Sequence, residues 1–235
     1  MTEKHSLVLI PGLLCTGDLW RDQIEALDDI ADITIADHTR DDTMPAIARR
    51  LLSEAPERFA LAGLSMGGYI ALEVMRQAPE RVTHLAIMDS RAVADSPEDR
   101  RRRLDFIKLV EQGSTFKGVT RSLLPILIHE SRLNDEELIA RIFKMAEDVG
   151  KEAFLRQERA LLDRDVLTEM LKTISCPTLI LAGADDMLIP PKLQRAMAVE
   201  IPTAQYVEIP NCGHLPTMEE PEVTSKYMRH WLARS

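Results

Sequence analysis

A serine sits between two glycines at fixed spacing in Gly63-Leu64-Ser65-Met66-Gly67, within the stretch FALAGLSMGGY that runs from Phe59 to Tyr69. An apolar run precedes it, and a helical pattern through Ala71, Leu72, Val74 and Met75 follows. A serine held on a sharp strand-to-helix turn projects its Oγ beyond the sheet edge, and glycines two residues to either side relieve the crowding that such a turn creates. The chemistry this suits is nucleophilic attack. A hydroxyl is a weak nucleophile until a neighbouring base takes its proton, so an acid and a histidine are needed from elsewhere in the chain.

Those partners are expected at the carboxyl ends of later strands, where open parallel sheets gather their ligands. After the apolar run Thr178 to Ala182 the chain reads Gly183-Ala184-Asp185-Asp186-Met187-Leu188-Ile189-Pro190, and after Gln205 to Ile209 it reads Pro210-Asn211-Cys212-Gly213-His214-Leu215-Pro216. Serine, acid and histidine therefore follow one another in the chain order that accompanies an elbow of this kind. Asp185 and Asp186 compete for the acid role, and Asp89, at the end of another apolar run, is a further carboxylate that reads as a cap or hinge bond. None of the other five histidines stands in a comparable strand-end loop.

Apolar strands alternate with helical patterns, which predicts a mainly parallel sheet of about six strands with helices on both faces. The strands are Ser6 to Ile10, Ile33 to Ala36, Phe59 to Ala62, His84 to Met88, Thr178 to Ala182 and Gln205 to Ile209. From Asp89 to about Ile174 the pattern changes to successive helices broken at Gly113, Gly118, Pro125, Asn134 and Gly150. The expected organisation is a core of residues 1–90 and 175–235 with an inserted helical cap over 91–174. Apolar cap positions such as Phe106, Leu109, Leu123, Leu124, Leu127, Phe143 and Phe154 are expected to pack mostly on one another, a minority facing a cleft.

At 235 residues the chain can bury one sizeable core, and 45% hydrophobic with 29% charged residues suits a globular protein. A net charge of −9 argues against nucleic acid or an anionic membrane as partner. The basic cluster Arg100 to Arg103 reads as the solvated face of a helix. No signal segment precedes the first strand and no apolar stretch approaches the roughly twenty residues needed to cross a bilayer, so a cytoplasmic location is expected. Cys15, Cys176 and Cys212 follow no zinc or redox spacing and read as reduced thiols. Without a His-Glu-x-x-His, paired Cys-x-x-Cys or P-loop pattern, no metal or cofactor is expected.

From Leu7 to Trp231 the chain resembles the α/β-hydrolase superfamily. The resemblance rests on GLSMGG around Ser65, on GADDMLIP as the family's Gly-x-x-Asp-x-x-x-Pro acid loop, and on GHLPTMEEP as its Gly-His-x-Pro-x-x-Glu-x-Pro histidine loop. Gln157 to Pro191 further resembles small capped esterases and enol-lactonases. The resemblance implies an α/β-hydrolase fold and a Ser65, His214 and Asp186 triad, the family spacing selecting Asp186 over Asp185. It also implies an oxyanion hole formed by the backbone N–H groups of Leu13 and Met66. The implied activity is cleavage of a small ester or lactone through an acyl-enzyme, without a cofactor. Carbon–carbon bond hydrolysis, a lyase or perhydrolase reaction, and ligand capture by a signalling protein with a vestigial triad are the alternatives on the same fold. Two features depart from the pattern: only five residues precede the first strand, where the family usually has a hairpin, and Pro11-Gly12 replaces the frequent His-Gly. The second leaves open which side chain anchors the oxyanion loop. The closing helix and the cap offer surfaces for a homodimer.

Overall fold

The computed structural model describes residues 4–113 and 116–234. Six parallel strands form one sheet: β1 His5–Ile10, β2 Ala31–Ile35, β3 Phe59–Leu64, β4 Val82–Met88, β5 Thr178–Gly183 and β6 Ala204–Ile209, in the order β2-β1-β3-β4-β5-β6. Central strands read as unbroken apolar runs because both of their faces are covered. Alternate residues divide between two cores. Leu7, Leu9, Ala60, Ala62, Leu179 and Leu181 face Leu27 of α1 (Arg21–Leu27) and Met228 and Trp231 near the C-terminus. Val8, Ile10, Phe59, Leu61, Leu85 and Ile87 face the opposite layer, formed by α2 (Met44–Glu54) and α3 (Met66–Gln77).

Helix starts follow local chemistry. Thr43 Oγ1 accepts from Ala46 N at 3.3 Å ahead of α2, whose first turn holds Pro45. Between β4 and β5 lie α4 (Pro97–Glu111), capped by Ser96 Oγ accepting from Asp99 N, the short α5 (Leu124–Leu127), and α6 (Glu136–Leu162), capped by Asp135. These caps satisfy N–H groups that have no partner inside the helix. After β5 come α7 (Pro191–Glu200), α8 (Pro216–Glu219) and α9 (Pro221–Leu232).

Two of the expected breaks show their local cause. Pro125 lies in the first turn of α5, where its missing N–H costs nothing. Gly150 (φ 72°, ψ 174°) is non-helical and divides α6 into two helical segments at a kink.

The chain runs from β1 to β2 on one side and then returns to place β3 on the other, so the winding direction reverses between β1 and β3. Loops leaving those two strands diverge there and open a crevice at their carboxyl ends. Among the described residues no helix is long and apolar enough to cross a membrane.

Candidate active site

Ser65 leaves β3 with φ 55° and ψ −112°, a conformation sparsely populated by any residue with a side chain. Its backbone is held on both sides. The N–H donates to Met88 O at 2.8 Å, and the carbonyl accepts from Gly68 N at 2.9 Å and from Ser90 Oγ at 2.8 Å. The glycine spacing has a measurable cause: a Cβ on Gly63 would lie 2.2 Å from Gly67 O, and one on Gly67 would lie 2.2 Å from Ile10 O. Only bare backbone allows α3 to start so close to β1 and β3.

Ser65 Oγ lies 2.9 Å from His214 Nε2, and His214 Nδ1 lies 2.8 Å from Asp186 Oδ2. His214 and Asp186 are each 3% exposed, so little water competes for these bonds. Asp186 Oδ1 accepts from the N–H groups of Leu188 and Ile189 at 2.8 and 2.9 Å, which fixes the carboxylate and leaves Oδ2 to the imidazole. Asp185 lies apart from this pair: its side chain is half exposed and stands 3.8 Å from His129 Nε2.

The loop carrying His214 is built around Glu219, a role that sequence reasoning did not assign although the residue stands in the quoted motif. One buried carboxylate accepts three backbone N–H groups: His129 at 2.7 Å, Gly213 at 3.1 Å and Leu215 at 3.0 Å. His214 N also donates to Leu127 O at 2.9 Å. Burial pushes the Glu219 carboxyl above its ordinary range, while the three N–H groups pull it back down. His129 itself is turned to Ser131 Oγ at 2.8 Å and does not line the cleft.

Leu13 and Met66 bring their N–H groups to the same crevice, and neither donates to an acceptor among the described residues. The anchor of the Leu13 loop comes from two elements distant in sequence. His38, in the loop after β2, places Nε2 2.9 Å from Gly12 O, and Gln157 of α6 accepts from Leu14 N at 3.2 Å. Gln157 Nε2 and His38 Nε2 are themselves 3.0 Å apart. Burial lowers the His38 pKa from its ordinary value, which keeps the ring neutral at pH 7. Thus the histidine missing beside Gly12 is supplied from the next strand's loop.

Asp89 takes neither of the roles expected of it. It neither caps a helix nor reaches the inserted helices, and instead joins β4 to β5 and α7: Oδ1 accepts from Gly183 N at 2.9 Å and Gln194 Nε2 at 3.1 Å. Fully buried beside Asp186, its carboxyl is pushed well above the ordinary range by desolvation first and by that neighbouring charge second.

A cavity of about 930 Å³ covers Ser65 and His214, a size that suits a small-molecule ligand. Its walls include Phe106, Leu109, Leu123, Leu127 and Phe154 from the inserted segment, so most of the seven singled-out positions face the cleft. Packing among those helices is carried by Leu124 and Ile139, by Ile142 and Met145, which also reach the cavity, and by Phe154 against Ile107, Val110 and Ala146. In the Arg100 to Arg103 cluster Arg100, Arg101 and Arg102 are exposed as expected, although Arg102 also borders the cavity, whereas Arg103 turns inward to pair with Asp95 at 2.7 Å and Glu158 at 2.8 Å. Cys15 borders the cleft and Cys212 is buried; both are free thiols whose pKa values burial raises.

A parallel sheet presenting a serine on a strained elbow, with histidine and aspartate on later strand-end loops, defines a recognisable class of hydrolase folds. The chain belongs to the alpha/beta hydrolase family, whose model matches residues 7–226. A thermophilic esterase from Thermogutta terrifontis superposes with a TM-score of 0.86 at 31% identity, over 97% of this chain and 90% of that one. RutD of Klebsiella pneumoniae (strain 342), named a putative carbamate hydrolase, is 31% identical in an alignment 230 residues long that covers 88% of this chain and 84% of RutD. The enol-lactonase of Burkholderia xenovorans LB400 has a TM-score of 0.84 at 20% identity, over 99% and 92% of the two chains, a likeness of fold alone.

Proposed function

We propose that the protein is a serine hydrolase that cleaves a small carboxylic ester or lactone through an acyl-enzyme. The observation that carries this is the unbroken series Ser65 Oγ to His214 Nε2 at 2.9 Å and His214 Nδ1 to Asp186 Oδ2 at 2.8 Å. In this reading His214 takes the Ser65 proton as Oγ attacks the carbonyl carbon and then gives it to the leaving alkoxide oxygen. Asp186 holds the tautomer with Nδ1–H and stabilises the imidazolium. The Leu13 and Met66 N–H groups, free of protein acceptors, receive the charge that develops on the carbonyl oxygen. Water then attacks the acyl-enzyme with His214 again as base.

The helices over 91–174 act as the cap, closing the cavity above Ser65 and shaping the acyl site. The resemblance to an esterase at 31% identity favours an ester or lactone, and the likeness to RutD brings a carbamate within the same acyl-transfer chemistry. No step calls for a metal or an organic cofactor.

The test is turnover of a short-chain 4-nitrophenyl ester and labelling by a fluorophosphonate probe, in wild type and Ser65→Ala. Both signals are expected to vanish in the variant. Labelling that persists in Ser65→Ala, or folded wild type that neither labels nor turns over, defeats the reading.

A further inference from the structure

One end of the cavity is cationic, against the sign of the protein as a whole. Arg91, Arg102 and Arg103 line it, and exposed Lys117 adds a fourth positive side chain. Behind them Arg164 bonds Asp95 at 2.6 Å. The acids of this region are already engaged: Asp95 accepts from Arg91, Arg103 and Arg164, Asp99 from Arg91 and Arg102, and Glu158 from Arg103. Four guanidinium groups thus share three carboxylates; of the other acids beside Arg91 and Tyr69, Glu73 is paired with Arg76 and Asp165 is exposed.

Arg91 is the group with unmet capacity. Only its Nη2 is used, at 2.8 Å from Asp95 Oδ1 and 3.3 Å from Asp99 Oδ2. Nε is buried with no partner, and Nη1 bonds nothing among the described residues. Nη1, unlike the buried Nε, keeps accessible surface in a residue that lines the cavity, and it is the donor that an acceptor in the cavity could reach. Beside it, Tyr69 also lines the cavity, and its hydroxyl has no bond among the described residues. The Tyr69 ring is fixed by Arg164, whose Cζ stands 4.4 Å from the ring centroid. Both residues are tied to the elbow. Tyr69 is four residues along α3 from Ser65, about 6 Å of helical rise, and Arg91 directly follows Ser90, whose hydroxyl bonds Ser65 O.

We propose that this end of the cavity is a carboxylate-binding subsite, centred on Arg91 and Tyr69, which selects substrates that carry one free carboxylate away from the scissile carbonyl. The inference rests on the hydrolase reading and deepens it. Guanidinium and phenol donors match the planar oxygens of a carboxylate, and the excess of one guanidinium over the three carboxylates bonded to this cluster suits one negative charge better than the two of a phosphate. The cavity walls also include Phe106 and Phe154, apolar surface that suits the methylene spacer of such a substrate.

The test compares 4-nitrophenyl hydrogen glutarate with methyl 4-nitrophenyl glutarate, in which the same carboxylate is masked. Wild type is expected to favour the free acid by about tenfold or more in kcat/KM, chiefly through KM, as one charge-assisted contact supplies. That preference should shrink in 0.5 M NaCl, and fall to near unity in Arg91→Gln and severalfold in Tyr69→Phe. Equal use of the two esters by wild type, or a preference unchanged in Arg91→Gln, overturns the subsite. Because Arg91 also bridges two acids, Tyr69→Phe provides the second, structurally milder variant. If neither ester is hydrolysed, the Ser65 reading has failed and the subsite is still decided by calorimetric titration of monomethyl glutarate into Ser65→Ala. Binding that Arg91→Gln abolishes in that background supports it; absence of binding refutes it.

Discussion

Glu219→Gln isolates the device that holds His214, because it keeps the shape of the side chain and removes the charge. The wild-type carboxylate places Oε2 against His129 N and Gly213 N, and Oε1 against Leu215 N. Glutamine has one acceptor oxygen. Set at the Oε2 position it keeps two bonds and turns an amide NH2 toward the Leu215 N–H, donor against donor at about 3 Å; flipped, it loses two bonds instead of one. The better arrangement still leaves one buried N–H without an acceptor, about 1–3 kcal/mol, and converts two charge-assisted bonds into neutral ones, about 1 kcal/mol each. Set against this is the relief of an ionised group that burial disfavours, seen in the raised Glu219 pKa; each unit of such a shift is worth about 1.4 kcal/mol. The net expectation is a loss of about 2 kcal/mol, read as a shift in the urea midpoint with unchanged slope. Activity should fall further, since a catalytic group displaced by about 1 Å costs on the order of a hundredfold in turnover. A variant whose midpoint matches wild type and whose kcat on a 4-nitrophenyl ester lies within twofold refutes the assignment of Glu219 as the clamp of this loop.

Three other perturbations test separate parts of the site. In Gln157→Leu the Leu14 N–H loses its acceptor and the Leu13 loop loosens, so kcat should drop by about tenfold to a hundredfold with KM little changed; His38→Phe should act in the same direction, and the double variant should cost less than the two singles combined because both hold one loop. Gly67→Ala puts a methyl 2.2 Å from Ile10 O, a backbone contact no rotamer can relieve, and should cost about 1–3 kcal/mol or more in denaturant unfolding together with most activity. Gly113→Ala is the control, since no atom lies within 4 Å of its added methyl and only the positive φ of 88° is strained. Asp89→Asn addresses pH. Because the folded protein holds the Asp89 proton more tightly than the unfolded chain does, Asp89 makes stability fall as pH rises from about 3.8 through its elevated folded value. The asparagine variant lacks that decline, so its thermal midpoint should gain on wild type between pH 4 and pH 8; parallel profiles refute the assignment.

What could be read from the chain and what could not divide along sequence distance. Ser65, Asp186 and His214 each stand in a short segment whose spacing is dictated by local sterics or by a turn, and such constraints are written in neighbouring residues. The same holds for the four central strands β1, β3, β4 and β5, whose apolar runs are long because both faces are covered, while the edge strands β2 and β6 alternate. His38 and Gln157 carry no such mark. They meet over Gly12 and Leu14 across 119 residues, and a single buried polar residue in a loop or on a helix has no period that announces its partner. Arg100 to Arg103 were legible only in part for a related reason: four consecutive arginines spread around the helix, so Arg100, Arg101 and Arg102 stay exposed as expected while Arg103 turns inward to Asp95 and Glu158. The consequence for function is specific. Gln157 belongs to the inserted helices yet bonds the loop that carries the Leu13 N–H, so any movement of α6 that opened the cavity would also release a proposed oxyanion donor. On the proposed function such a movement would link access to transition-state stabilisation, and in Gln157→Leu substrate entry should become independent of the oxyanion loop while catalysis weakens. Stopped-flow binding of a slow ester analogue to Ser65→Ala and Ser65→Ala/Gln157→Leu separates the two: a faster or equal association rate in the double variant supports the linkage, whereas slower association shows that Gln157 serves binding itself.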